Sequence, residues 1–267
     1  MTICIGALCA DQQGREYKAV VVAADRMVTM GHMMEFEHDV PKILKVTEKV
    51  VILMAGDAIA GSSLARGVDS AFPNVAPSVV TVAEHSAALY ANLRDKKIET
   101  DIFRPRGLTR QQFYEKQTAI PQQLAFALDQ EVKNTNLGVE ILVAGVDDSG
   151  SQLHVIGNPG NAYSDMRQIG FHAIGSGALH ALQSLIGFGH TGARPLADAI
   201  FSVYASKRRA EAAPGVGRET DMAVIAEGGF KMLSSADMKE LEAVYLESVK
   251  PLAKELKDRL KKLSVLQ

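Results

Sequence analysis

Residues 2–24 read TICIGALCADQQGREYKAVVVAA, with two apolar runs on either side of a short polar turn. The runs cover residues 2–9 and 19–24, and both are rich in β-branched or small apolar side chains. The turn contains Gln12-Gln13-Gly14-Arg15, and polar residues with a glycine between two such runs are typical of a hairpin connection. The sequence therefore predicts an antiparallel β-hairpin at the start of the chain.

Further strand-like pairs and helix-like stretches follow along the chain. The predicted strands cover residues 43–46, 50–55, 140–146, 152–156, 171–174, 221–226 and 230–233, and the predicted helices cover 58–68, 80–102, 111–132, 178–186 and 194–211. Hairpins that flank pairs of helices differ from the strict β-α-β alternation of a parallel sheet. The pattern therefore favours a layered α+β architecture.

Composition excludes several classes of protein. The 267 residues carry 29 Lys and Arg against 31 Asp and Glu, a formal net charge of −2, and 47% of them are hydrophobic. Such a chain is unlike a disordered tail, a fibre or a basic nucleic-acid binder. A chain of this length can bury roughly three quarters of its unfolded surface, which is enough for one large core. We therefore expect a single domain over residues 1–267 and no nucleic-acid partner.

The apolar runs are too short for a membrane span, because the longest cover only residues 19–24 and 50–56 and a span needs about 20 residues. No basic segment precedes an apolar one at the start of the chain, so we expect no signal peptide and a cytoplasmic location. Cys4 and Cys9 lie on one predicted strand and cannot easily pair with each other. The His-rich and acidic segment 31–39 has no defined ligand spacing, so we predict a solvated loop there, with no metal or cofactor.

Thr2 follows the initiator Met1, which is normally removed before so small a residue, so we expect the mature chain to begin at Thr2. Its hydroxyl and a free α-amino group would then share one residue. An α-amine has a pKa of about 7.7–8.0, against about 10.4 for a lysine amine, and so can accept a proton at neutral pH. A threonine hydroxyl needs such a base to act as a nucleophile. A Met-Thr start is nevertheless common, and by itself it does not indicate catalysis.

Six short segments together carry a family resemblance. They are Thr2-Ile3-Cys4-Ile5-Gly6, Val22-Ala23-Ala24-Asp25-Arg26 with Thr29, Lys42-Ile43-Leu44-Lys45-Val46, Met54-Ala55-Gly56, Leu142-Val143-Ala144-Gly145 and Ala173-Ile174-Gly175-Ser176-Gly177. In their order and spacing the chain resembles the proteasome β-subunit family of threonine-type N-terminal nucleophile hydrolases, over residues 2–95 and 138–233. The resemblance implies a four-layer αββα sandwich. Residues 96–137 would then be a helical insertion, and 234–267 a C-terminal amphipathic helix.

The resemblance also implies a catalytic set, which consists of Thr2, Asp25, Lys42, Gly56 and Ser176. Thr2 would be the nucleophile, and Lys42, held by Asp25, would lower the pKa of its hydroxyl. The Gly56 N–H would stabilise the oxyanion, and Ser176 would orient the amine. Each residue also has an ordinary structural explanation, as a strand-end cap, a surface charge, a turn or a helix N-cap. All five occurring in family order favours catalysis.

One stretch departs from the family pattern, and one pocket is implied. Many active members carry a further Asp and Ser ahead of the last strand pair, whereas residues 209–217 contain neither, which leaves open whether the chain is active.

The resemblance also implies an apolar substrate pocket beside Gly56. Its predicted substrate-binding residues are Val28, Thr29, Val40, Met54 and Ala58.

These inferences predict a threonine-type endopeptidase subunit that assembles with copies of itself and cleaves peptides or unfolded protein through an ester on Thr2. Two alternatives stay open. One is a non-catalytic structural subunit of the same fold, although α-type members carry an extra helix ahead of a first strand that here begins at residue 2. The other is an amidase that acts on a small amide. The sequence also leaves open whether subunits form a ring or an open spiral, and whether an ATP-dependent unfoldase docks on them.

Overall fold

The computed structural model describes residues 2–30, 34–38, 41–72 and 76–250 of the chain. Residues up to Met232 form one compact unit, and the segment from Leu233 onward forms a second. Within the described ranges, every helix is too short or too polar to traverse a lipid bilayer.

The first unit is mixed α and β, with antiparallel sheets. Its strands are β1 (Cys4–Cys9), β2 (Ala19–Asp25), β3 (Met27–Met30), β4 (Met34–Glu37), β5 (Ile43–Lys45), β6 (Val50–Gly56), β7 (Val139–Asp147), β8 (Gly150–Ile156), β9 (Ser164–Asp165), β10 (Phe171–Ile174), β11 (Thr220–Ala226) and β12 (Gly229–Met232). Its helices are α1 (Ala58–Ala71), α2 (Val79–Ile98), α3 (Arg110–Glu115), α4 (Gln122–Asn134), α5 (Ala178–Gly187) and α6 (Leu196–Ala210). A π-helical turn (Glu99–Phe103) and 3-10 turns (Arg104–Arg106 and Gln117–Ala119) join some of these helices.

The strands form two five-stranded antiparallel sheets and one two-stranded sheet. The first sheet has the order β10-β1-β2-β11-β12, the second has the order β5-β6-β7-β8-β9, and β3 pairs with β4. The predicted hairpin at the start of the chain is confirmed, since β1 and β2 pair from Cys4 opposite Ala24 to Cys9 opposite Ala19. The α+β class with antiparallel sheets is confirmed as well.

Two apolar clusters show how the layers pack. One draws on both five-stranded sheets, with Leu8 and Val22 from the first and Leu53 and Leu142 from the second, so the sheets face each other across it. A second cluster joins the second sheet to α1 and α2. On the other side, α5 packs against β1 and β10, and α6 packs against β1 and β2. The start of β1 lies beside the last residues of β2, since Cys4 pairs with Ala24, and Gly56 at the end of β6 lines one pocket with Thr2.

The Met- and His-rich segment predicted as a loop over residues 31–39 is partly a strand. β4 pairs with β3, and the register places Val28 opposite Phe36. The two strands have four residues each, which is too short for a clear period of two in the sequence. Residues 31–33 and 39–40 of that segment lie outside the described residues.

The single helix predicted over residues 111–132 is wrong, because the chain forms α3 and α4 with a break between them. Ile120 is extended, at φ −89° and ψ 136°, and Pro121 is the N-cap of α4. The residue before a proline is disfavoured in the α conformation, which explains the break. The two helices bury Phe113 and Leu128 in a small cluster with Phe103.

The second unit contains one described helix, α7 (Ser235–Ser248). It begins with a capping box in which the Ser234 hydroxyl accepts from the Asp237 N–H, at 3.2 Å. The helix ends at Ser248, because Pro251 follows closely and cannot continue it. The remaining part of the predicted C-terminal helix, residues 251–267, lies outside the described residues.

Candidate active site

The site is centred on Thr2, which lies just ahead of β1 and is 3% exposed. Its backbone is held by neighbouring strands and loops, since the Gly177 N–H donates to the Thr2 carbonyl at 3.4 Å. Three of the other predicted catalytic side chains, those of Asp25, Lys42 and Ser176, contact Thr2 directly. Residues far apart in sequence thus meet around one threonine, with Asp25 and Lys42 at its hydroxyl and Ser176 at its backbone.

Lys42 places a positive charge against the Thr2 hydroxyl. Its Nζ donates to Thr2 Oγ1, to Asp25 Oδ1 at 2.6 Å and to the Met27 carbonyl at 2.5 Å. These contacts use all three ammonium protons. The side chain is 15% exposed, so water screens the charge little. An ammonium in this position favours loss of the hydroxyl proton from Thr2.

Asp25 is the last residue of β2, and its carboxylate is fully buried. Its Oδ1 accepts from the Thr2 hydroxyl and from the Ile3 N–H, the latter at 3.2 Å. Its Oδ2 accepts from the Gly217 N–H at 2.8 Å. With Lys42 beside it, the carboxylate has a charged partner and several N–H or O–H donors, which a buried anion requires. Asp25 therefore fixes the positions of the Lys42 and Thr2 side chains relative to each other.

Ser176 lies on the other side of Thr2. The backbone N–H of Thr2 donates to Ser176 Oγ at 3.2 Å, and the same Oγ lies 3.3 Å from the Thr2 carbonyl and 3.2 Å from the Pro214 carbonyl. A serine has one proton to donate, so it goes to one of these carbonyls, and a lone pair of the oxygen faces Thr2 N. This geometry would orient an α-amine at that position.

Gly56 ends β6 beside Thr2, and its backbone needs a glycine. Its φ is +116°, and a Cβ there would lie 2.0 Å from the Gly138 carbonyl oxygen. α1 begins immediately after it, capped by Asp57, whose Oδ1 accepts from the Ile59 and Ala60 N–H groups at 2.9 and 2.8 Å. Gly56 and Thr2 line the same pocket. All five predicted catalytic residues are therefore at this site.

The pocket has a volume of about 330 Å³ and an apolar wall. Three of the predicted substrate-binding residues line it, namely Val28, Met54 and Ala58. Val40 lies outside the described residues, as does the side chain of Thr29. Small residues on the inner face of α1, such as Gly61, leave room for a ligand.

A substitution at Gly61 tests whether the pocket wall has space for an added methyl group. A Cβ at Gly61 would lie 3.8 Å from Val139 Cγ2 and 4.0 Å from Met54 Sδ, which is ordinary contact. Because alanine favours a helix over glycine, Gly61→Ala is expected to raise the free energy of unfolding by about 0.5–1 kcal/mol. Urea denaturation measures the change. The matched control is Gly67→Ala in the same helix, which should gain less because its Cβ would lie 2.8 Å from Leu89 Cδ1; a loss of stability in Gly61→Ala would contradict the geometry.

Neither cysteine is suited to act as a nucleophile. Both are free and buried. Burial raises the pKa of the Cys4 thiol to about 12, and the nearby Lys42 only partly opposes this. Burial likewise raises the pKa of Cys9 to about 12. Since the thiolate is the reactive form, both thiols are inert near neutral pH.

Sequence reasoning missed the groups that support this cluster from the backbone. They are the Met27 carbonyl on Lys42, the Gly217 N–H on Asp25 and the Pro214 carbonyl beside Ser176. Backbone groups are the same in every residue type, so no motif reveals them. Lys207, which holds the Gly217 carbonyl at 2.8 Å, carried a usable signal. It lies in the same helical stripe as the buried Ala199 and Val203, where a lysine is unexpected.

The fold and the site together define a class of protein, an α+β chain with facing antiparallel sheets and a threonine-lysine-aspartate cluster at their edge. The sequence model of the proteasome subunit family matches residues 15–71. The matched segment contains Asp25, Lys42 and Gly56. The match supports a proteasome-like family assignment, as a proteasome-type subunit. No curated protein matches the chain.

Proposed function

We propose that this chain is a threonine-type endopeptidase subunit of a self-compartmentalising, proteasome-like assembly. The observation that carries the proposal is the placement of Thr2 Oγ1 between the Lys42 ammonium and the Asp25 carboxylate, with Thr2 N on Ser176 Oγ. A hydroxyl, a cation that favours its ionisation and an oriented amine are what a threonine nucleophile needs. The proposal includes removal of whatever precedes Thr2, so that its nitrogen becomes a free amine.

The packing order supports the four-layer fold expected of such enzymes. α5 and α6 cover one five-stranded sheet, the two sheets share an apolar cluster, and α1 and α2 cover the other sheet. This order corresponds to the αββα sandwich of N-terminal nucleophile hydrolases. In that sandwich the nucleophile stands at the start of the first strand, and Thr2 lies two residues ahead of Cys4, where β1 begins.

In the first step, the Thr2 hydroxyl gives its proton to the free α-amine while Lys42 stabilises the oxygen. The oxygen attacks the carbonyl carbon of the scissile peptide, and the Gly56 N–H stabilises the resulting oxyanion. A contact of that kind lowers a barrier by about 3 kcal/mol. The carbon–nitrogen bond then breaks, and the protonated α-amine returns a proton to the leaving amine. The acyl group stays on Thr2 as an ester.

In the second step, water cleaves the ester. The α-amine accepts a proton from the water, whose oxygen attacks the ester carbonyl, and Gly56 again stabilises the oxyanion. The ester bond breaks, the proton passes to Thr2 Oγ1, and the carboxylic acid product leaves. Atoms balance without a metal or cofactor in either step.

The pocket supports peptides that carry an apolar side chain ahead of the scissile bond. Its volume of about 330 Å³ accommodates a large aliphatic or aromatic group, and Val28 and Met54 present apolar surface to it. A substrate with only a small acyl amide would leave most of this space unfilled. The pocket therefore favours an endopeptidase over an amidase, and comparing turnover of fluorogenic peptides with that of small acyl amides separates the two.

Assembly with copies of itself and a cytoplasmic location complete the proposal. The formal net charge of −2 allows like subunits to pack with little repulsion. An enclosed chamber formed by such subunits would restrict Thr2 to unfolded chains.

The decisive experiment is intact-mass spectrometry with and without an electrophile that reacts with N-terminal threonine, such as an epoxyketone peptide. We expect the mature chain to begin at Thr2, to gain one probe mass there, and to gain none in Thr2→Ala. Iodoacetamide at pH 7.5 serves as the specificity control, because Cys4 and Cys9, each with a pKa of about 12, should be alkylated only after unfolding. A chain that retains residues ahead of Thr2, or a probe bound elsewhere, would refute the proposal.

A further inference from the structure

The segment 211–218, between α6 and β11, reaches the site at two points. The Pro214 carbonyl lies 3.2 Å from Ser176 Oγ, and the Gly217 N–H donates to Asp25 Oδ2 at 2.8 Å. The segment therefore contacts Ser176, which accepts from the Thr2 N–H, and Asp25, which accepts from the Thr2 hydroxyl. Although it lacks the Asp and Ser of the family pattern, it supplies backbone groups at both places.

A buried lysine holds this segment. Lys207, in the last turns of α6, is 0% exposed. Its Nζ donates to Glu211 Oε1 at 2.7 Å, to the Gly217 carbonyl at 2.8 Å and to the Arg218 carbonyl at 2.6 Å. These bonds use all three ammonium protons, and two of them end on the backbone of segment 211–218.

Gly217 is thus held from two directions. Its carbonyl accepts from Lys207, while its N–H donates to Asp25. The next peptide N–H, that of Arg218, donates to Glu37 Oε1 at 2.6 Å. Removing the Lys207 bond would leave the Gly217 carbonyl buried without its charged donor, and the loop would have to shift to regain a partner.

A fully buried ammonium is costly, and a long apolar side chain would fill the same space more cheaply. Burial lowers the pKa of Lys207, while Glu211 and, more weakly, the charge of Asp25 oppose that shift. The cost indicates a role beyond packing, because α6 already buries Ala199, Val203 and Ala210 without help from a charge. The bonds of Lys207 identify the role as fixing the backbone of 217 and 218.

We propose that Lys207 is a positioning residue for the proposed peptidase reaction: it fixes segment 211–218 so that Gly217 orients Asp25, and through Asp25 the Thr2 hydroxyl and Lys42. This inference rests on the proposed function. It also explains how the site is supported without the Asp and Ser that the family pattern has in this part of the chain.

The test uses the double variant Lys207→Met/Glu211→Leu in the full-length chain. Replacing both members of the pair removes the charges of Lys207 and Glu211 together. Arg208, which also lies 3.4 Å from Glu211, is 24% exposed and keeps access to water, so the variant should fold. We expect kcat to fall about 10- to 100-fold, since a displacement of about 1 Å near a reacting group can cost about 100-fold. KM should change less than about twofold, because the pocket is built by other elements, and probe labelling of Thr2 should slow in proportion to kcat.

The matched control is Asp129→Leu/Lys133→Met on α4, which removes a pair with the same four-residue spacing in which Lys133 is exposed and Asp129 is partly exposed. It should leave kcat and labelling unchanged. Lys207→Gln, which keeps an amide donor, is a second variant in case the double variant does not fold, and it should lose kcat to a smaller extent.

The outcomes separate the two proposals. If wild-type Thr2 reacts and a folded Lys207 variant has wild-type kcat, the positioning role is overturned while the proposed function stands. A variant with a higher KM and an unchanged kcat would also overturn the positioning role of Lys207. If the wild-type chain does not react at Thr2 at all, both proposals fall.

Discussion

Replacing Lys42 by methionine is expected to lower kcat about 10³-fold with little change in KM. The ammonium contacts Thr2 Oγ1, and without it nothing lowers the pKa of the hydroxyl or stabilises the oxygen as it loses its proton. Methionine keeps the length and most of the volume of the side chain, so the wall of the pocket is preserved. Steady-state kinetics on a fluorogenic peptide with an apolar residue ahead of the scissile bond measures both constants.

Lys45→Met is the matched control for this experiment. Lys45 is three residues further along, and its Nζ pairs with Glu48 on the surface. The Lys45→Met variant should retain wild-type kcat. Turnover in Lys42→Met that equals that of the wild type would remove Lys42 from the proposed mechanism, even if Thr2 were still labelled.

Asp25→Asn should lower both stability and activity. The substitution removes the negative charge 2.6 Å from the Lys42 ammonium, in a site where Asp25 is fully buried. Removing one partner of a buried pair costs about 3–5 kcal/mol, and we expect about 3 kcal/mol because Lys42 keeps some exposure to water. We also expect kcat to fall about 10²- to 10³-fold, since both Lys42 and the Thr2 hydroxyl lose the group that orients them. Urea denaturation and steady-state kinetics give the two values.

The control is Asp11→Asn, at a largely buried carboxylate whose partner Arg15 is about half exposed. It should change the free energy of unfolding far less than Asp25→Asn does and leave kcat unchanged. Because Asp25 and Lys42 act on the same hydroxyl, the double variant Lys42→Met/Asp25→Asn should lose far less activity than the two single effects combined. Full additivity would show that the two residues act independently, against the geometry.

Much of the site could be predicted because its residues stand where local patterns change. Asp25 ends a strand of seven buried residues, and Gly56 separates the apolar strand β6 from a helix N-cap. Such boundaries are visible in the sequence as polar or glycine residues at the end of an apolar run. Ser176, by contrast, is 174 residues from Thr2, and only the family pattern linked the two before the structure did.

The supporting contacts could not be predicted in this way. Segment 211–218 reads as a Gly- and Pro-rich break, and the absence of Asp and Ser there suggests a weakened site. In the structure, the Gly217 N–H and the Pro214 carbonyl occupy positions beside Asp25 and Ser176. A backbone group gains such a role only through the position of the chain in space.

The sequence by itself determined the strand pairs, the class of fold and the residue types around Thr2, because apolar periodicity and chain breaks are local properties of the residues. The tertiary structure decided what those residues contact. It brought the Lys42 ammonium, the Asp25 carboxylate and the Ser176 hydroxyl to one threonine, and it buried Lys207 against the loop beside them. Distances between groups far apart in sequence depend on how the sheets and helices pack, and no local pattern contains that information.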